Sequence, residues 1–117
     1  MSNREENVTI ITEPIAVNAL NAIYENNGPG DLGWNFDIPG QVTAMDDTII
    51  GSNGELSDLY IGEKKLRGIL VMHDIPTLEL ISAWGNAFSG VDLKNLIKLT
   101  DLDLNDNEIE DLKTMDN

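Results

Sequence analysis

The chain has 117 residues, 7 Lys and Arg against 21 Asp and Glu, a net charge of −14, 41% apolar residues and no cysteine. That length holds one hydrophobic core, the apolar share excludes a disordered chain, and the absence of cysteine excludes structural disulfides and thiolate metal sites. No Lys or Arg lies between Arg4 and Lys64, so nucleic acid and anionic membranes are poor partners, because a polyanion is bound by cations that displace its counterions. A basic protein is the favoured partner, although acidity also serves solubility alone.

In chain order, Met1–Glu6 has neither the basic flank nor the apolar stretch of a secretory signal, which predicts a cytoplasmic protein. An extracellular or cell-surface location stays open if the sequence is part of a longer chain. Asn7-Val8-Thr9 matches the glycosylation pattern, which matters only in a secreted eukaryotic protein. The run Gly68-Ile69-Leu70-Val71-Met72 is typical of the longest apolar stretches, far short of the roughly 18 residues of a membrane span.

Thr12-Glu13-Pro14 reads as a helix start, with the Thr12 hydroxyl as cap and Pro14 in the first turn, where its missing N–H costs nothing. Ala16, Leu20, Ile23 and Tyr24 recur at helical spacing and Asn26-Asn27-Gly28-Pro29-Gly30 ends the element, predicting a helix over about 14–26. Val42–Met45 and Thr48–Ile50, with an Asn53-Gly54 turn before Leu56, predict short strands or a hairpin.

The second half of the chain matches itself. Leu56, Leu59, Ile61, Lys64, Leu66 and Ile69 are followed 22 positions later by Leu78, Ile81, Ala83, Asn86, Phe88 and Val91. A further 21 positions on come Leu99, Leu102, Leu104, Asn107, Ile109 and Leu112. The alternation of Leu102 and Leu104 puts the apolar side of a short strand inward; a turn follows, and Ile109 and Leu112 return to the same core. The segment Leu99–Ile109 resembles the leucine-rich repeat signature LxxLxLxxNxL at every defined position. The Ala19–Tyr24 segment, the Gly-rich loop with Trp34 and the Ser52–Leu56 approach resemble the N-terminal cap of bacterial surface repeat proteins and, more loosely, of plant receptor ectodomains, whose cysteines are missing here.

The resemblance implies an α/β solenoid: a short leucine-rich-repeat array with a parallel β-sheet on the concave side and an N-terminal helical cap. Residues 1–50 would be tail and cap, and 51–117 three repeats. Asn86 would stack on Asn107 in a column that Lys64 interrupts. No C-terminal cap is visible before Asn117, so the open edge could pair with a partner or with a second copy of the chain.

Chemistry finds little support. Asp101-x-Asp103-x-Asn105 opens like a calcium loop, but Asp106 stands where Gly is needed and Leu112 where a bidentate Glu is needed. His73, the only histidine, falls in the connecting arc between strands, and nothing places Ser52, Ser57, Ser82 or Ser89 beside it. Acid pairs such as Asp46 and Asp47 read as solvated surface. The expectation is no enzyme, no catalytic residue, no metal and no cofactor.

In the family the outward side of the repeat strands binds ligands. Register assigns to it Asp58, Tyr60, Gly62 and Glu63; Leu80, Ser82, Trp84 and Gly85; and Asp101, Asp103, Asn105 and Asp106. Tyr60 and Trp84 among carboxylates are candidate anchors, because a large rigid ring buries much area at small entropic cost. The competing reading is that Trp84 only folds over Gly62 and Gly85. Together these features predict a non-enzymatic module that binds a basic protein. Its rivals are a small acidic inhibitor or immunity protein of a basic toxin or nuclease, a fragment of a larger cell-surface adhesin or receptor, and a metal- or sugar-binding domain.

Overall fold

The structure, a computed structural model, describes residues 8–116, with backbone pairing but not side chains given for 111–116. The expectations placed on Met1–Glu6, Asn7, the Leu112 side chain and Asn117 lie outside these residues. Strand β1 (Thr9–Ile11) leads into helix α1 (Pro14–Ala22). The helix cap is Glu13 and not Thr12: the Glu13 carboxylate accepts from the N–H of Ala16 at 2.9 Å and of Ile15 at 3.3 Å. Thr12 is held elsewhere. Its N–H and that of Glu13 donate to the Gly54 carbonyl at 3.0 Å, and its hydroxyl lies where a Cβ on Gly54 would be.

Helix α1 buries Ala16, Val17 and Leu20, then widens into a π turn over Ile23–Asn27. The predicted helix thus reaches its expected end only through a change of pitch. The turn aims Asn27, 3% exposed, at the sheet beyond it, where its amide donates to the carbonyls of Arg67 at 2.7 Å and Ile69 at 2.9 Å. Buried carbonyls on a sheet edge are costly unless paired, and Asn27 pairs two.

The remaining strands are β2 (Val42–Ala44), β3 (Ile49–Ser52), β4 (Glu55–Tyr60), β5 (Arg67–His73), β6 (Leu80–Ser82), β7 (Ala87–Lys94), β8 (Asp101–Asp103) and β9 (Asp111–Asp116). They form three separate sheets: β1-β2, β3-β4-β6-β8 and β5-β7-β9. β1 and β2 are antiparallel, as are β3 and β4; the other pairings are parallel. The β3–β4 hairpin turns through Asn53 and Gly54, both left-handed at φ 55° and 78°, as a two-residue turn of that hand requires.

This arrangement overturns the expected leucine-rich-repeat solenoid with one parallel sheet on a concave side and a helical cap. Among the described residues the chain forms three small sheets, partly antiparallel, with a single α-helix. The segments read as connecting arcs are themselves strands, β5 and β7, and His73 ends one of them. The period of two in β5 was masked because its outward residues are also apolar: Leu70 and Met72 are buried, while Ile69 and Val71 are exposed.

The internal spacing of the sequence appears as the offset between paired strands. Asp58 pairs with Leu80 and Leu80 with Asp101. At the corner after β6, Asn86 Oδ1 accepts from the N–H of Lys64 and Leu66, both at 3.0 Å. Its amide donates to the carbonyls of Ile61, Ala83 and Trp84. After β8, Asn107 donates to the carbonyls of Ala83, Leu104 and Asn105 and accepts from the N–H of Phe88. Inward side chains of both parallel sheets, including Leu59, Ile61, Leu70, Met72, Ile81, Phe88 and Val91, join one buried cluster with α1. Among the described residues, no helix is long and apolar enough to cross a membrane.

Replacing Asn86 with Ala would take the partner from the N–H groups of Lys64 and Leu66 and from the Ile61 carbonyl, all only partly buried, while the Ala83 and Trp84 carbonyls keep the Asn107 amide and the Glu63 N–H. We expect a loss of about 2–4 kcal/mol of stability in urea unfolding, given about 1–3 kcal/mol for each unsatisfied buried group. Asn107→Ala, with one donor served and a more open corner, should cost less than half as much.

Candidate functional site

Parallel pairing aligns the outward residues of β4, β6 and β8 in rows. Asp58, Leu80 and Asp101 form one row and Tyr60, Ser82 and Asp103 the next. Between them Leu59 and Ile81 are fully buried and Leu102 is half-buried, so the outward side chains stand on a firm floor. Tyr60, Leu80, Ser82, Thr100, Asp101 and Asp103 border a shallow depression of about 480 Å³.

The other candidates lie along the adjoining corner. Glu63 N–H donates to the Trp84 carbonyl and Gly85 N–H to the Asn105 carbonyl, each at 2.9 Å. Asp103 Oδ1 accepts from the N–H of Asn105 at 3.0 Å, which fixes that carboxylate. Glu63, Gly85 and Asp106 all adopt left-handed backbone, at φ 54°, 70° and 59°. The structure therefore brings Asp58, Tyr60, Ser82, Asp101 and Asp103 onto one sheet face, with Glu63, Trp84, Asn105 and Asp106 continuing it around the corner.

Trp84 answers to both of its readings. Its ring lies on the backbone of Gly62, so close that a Cβ there would come within 2.5 Å of the indole nitrogen. Its surface is nonetheless 36% exposed, and Tyr60 is 41% exposed. A ring held flat against glycine has little freedom left to lose on binding. Trp34 is different: it is 5% exposed, and its indole donates to the Thr48 hydroxyl at 2.8 Å.

The face is electrostatically loaded. Burial, then the charges of Glu79 and Asp101, push the Asp58 carboxyl above its ordinary value of 3.8. Glu79 was not among the sequence candidates, because it precedes β6; its carbonyl accepts from the N–H of Asp101 at 3.2 Å, and this brings the two acids together. Repeat register alone places Glu79 beside Thr100 and could have exposed it. Among the described residues, Lys65 pairs with Asp31 at 3.8 Å and His73 bonds Asp92 at 3.0 Å. Neither involves an acid of this face.

His73, expected on an arc, bonds Asp92 across β5 and β7. No group of three or more His, Asp or Glu among the described residues is arranged to hold a metal ion. No family model matches the chain, and neither a curated protein nor a solved structure matches it. The likeness to bacterial leucine-rich repeat proteins rested on sequence spacing, and with no family match and three separate sheets it is withdrawn.

Two consequences can be measured. Gly62→Ala should lift the Trp84 ring off the sheet: in a Trp34→Phe background, acrylamide quenching of Trp84 rises while the circular dichroism is kept. Because the folded pKa of Asp58 lies above the unfolded one, its ionisation weakens the fold as pH rises from 3.8 through the folded value. Asp58→Asn should therefore be more stable than wild type at pH 7, and this advantage should disappear on acidification below the unfolded pKa.

Proposed function

We propose that this chain is a non-enzymatic protein-interaction module that binds a basic protein through the outward face of the β3-β4-β6-β8 sheet. The observation that carries the reading is the coincidence of two exposed aromatic rings, Tyr60 and Trp84, with acids that no cation of the described chain neutralises. A cationic partner would relieve the repulsion among Asp58, Glu79 and Asp101, steer its own approach, and bury the rings as anchors. A sharper form of the same reading is a small acidic inhibitor that occupies the cationic site of a basic toxin or nuclease. The crowding of Asp58 favours it, since an anion already destabilised gains most from an incoming cation.

Affinity capture at low and high salt, comparing wild type with a folded Tyr60→Ala, Trp84→Ala double variant, tests the proposal. A basic protein should be retained by wild type, released by salt, and bound on the order of 1,000-fold more weakly by the variant, if each anchor contributes about 2 kcal/mol. Equal capture by both proteins refutes this use of the face.

A further inference from the structure

The sheet that carries the acidic face ends at β8, and the end is unfinished in two respects. Asp101 N–H donates to the Glu79 carbonyl, and the Asp103 carbonyl accepts from Ala83 N–H, so both residues point their backbone groups at β6. In a pleated strand the residue between them points the opposite way. The N–H and C=O of Leu102 therefore face outward along an edge with no strand beyond it among the described residues. The apolar side is also incompletely covered. Leu78, Ile81, Ala83 and Phe88 are fully buried, whereas their counterparts one unit later, Leu99, Leu102, Leu104 and Ile109, are only partly so.

We propose that this edge takes an extended segment of a partner protein as an added strand, with basic residues alternating with aliphatic ones. The chemistry selects that occupant. Backbone pairing satisfies Leu102. An aliphatic residue opposite Leu102 extends the buried row of Leu59 and Ile81. The residues on either side of it fall beside Asp101 and Asp103, where Lys or Arg is attracted and Asp or Glu repelled. The same carboxylates disfavour a second copy of the chain, since edge-to-edge pairing of two β8 strands would set Asp101 and Asp103 against themselves. The inference rests on the reading of the chain as a binder of basic proteins, and it adds where on the sheet the partner's backbone docks.

The probe is an acetylated, amidated Ser-Lys-Val-Lys-Val-Lys-Ser peptide, titrated into the full chain at low salt by calorimetry. Its controls are the same peptide N-methylated on alternate residues, and a Glu-for-Lys peptide. We expect binding that falls at least tenfold on N-methylation, is abolished with Glu, and weakens at least tenfold in an Asp101→Asn, Asp103→Asn variant. The Leu102 amide should exchange with solvent at least tenfold more slowly in the complex. Equal affinity for the N-methylated peptide, an unchanged Leu102 amide or no binding overturns the proposal. So does a concentration-dependent dimer that already protects Leu102 without peptide. Peptide binding that survives in the Tyr60→Ala, Trp84→Ala variant supports the edge even where capture through the aromatic face fails, so the two ideas fall separately.

Discussion

The side chain of Asn86 sets the geometry on which the rest depends. Where the chain leaves β6, it must turn from one parallel sheet toward the other, and a turn of this kind leaves backbone donors and acceptors without partners. Asn86 supplies both kinds at once, accepting from Lys64 and Leu66 and donating to Ile61, Ala83 and Trp84. A side-chain amide can do so from one position because it carries two donor hydrogens beside its acceptor oxygen, where a hydroxyl has a single donor. Because those partners belong to two successive units, the bonds also fix how far one unit is offset from the next. The rows Asp58–Leu80–Asp101 and Tyr60–Ser82–Asp103 follow from that offset.

The corner geometry carries through to the proposed site. Left-handed backbone recurs at Glu63, Gly85 and Asp106, and these residues bring the chain around so that Trp84 lies over Gly62. A side chain at position 62 would occupy the space of the indole. The ring is thereby immobilised without being hidden, which is the condition for a large side chain to contribute binding energy at small entropic cost. Packing, and recognition as proposed, would make the same demand on this glycine.

What was legible in the sequence was the offset between strands, and what was not was the second sheet. The spacing of Leu59, Ile81 and Leu102 located three strands paired in succession, and Asn53-Gly54 located a hairpin. The second parallel sheet stayed hidden because Ile69 and Val71 are exposed aliphatics that break the alternation of β5, and without that sheet the spacing suggested a family the chain does not match. The helix cap was misassigned by one residue because Thr12 is held by Gly54, a contact across more than 40 residues that no local pattern records. The pairing of His73 with Asp92 was likewise invisible until β5 and β7 were known to be neighbours. On the candidate site, strand alternation found the outward acids but missed Glu79, which acts from just outside the strand.

The two parallel sheets differ in a way that bears on which of them meets a partner. On β5 and β7 the charges are mixed: Arg67, His73, Asp92 and Lys94 lie on the same strands, and His73 and Asp92 bond each other. A surface of mixed sign offers an incoming charge of either sign both attraction and repulsion, and so little net gain. On β4, β6 and β8 the charged residues are acids alone, and with the neighbouring Glu79 they are crowded enough to raise the Asp58 carboxyl. Repulsion that the folded chain tolerates there is a cost that a cation from outside can remove. That difference, more than the total charge of −14, is what favours the acidic sheet for the proposed binding role.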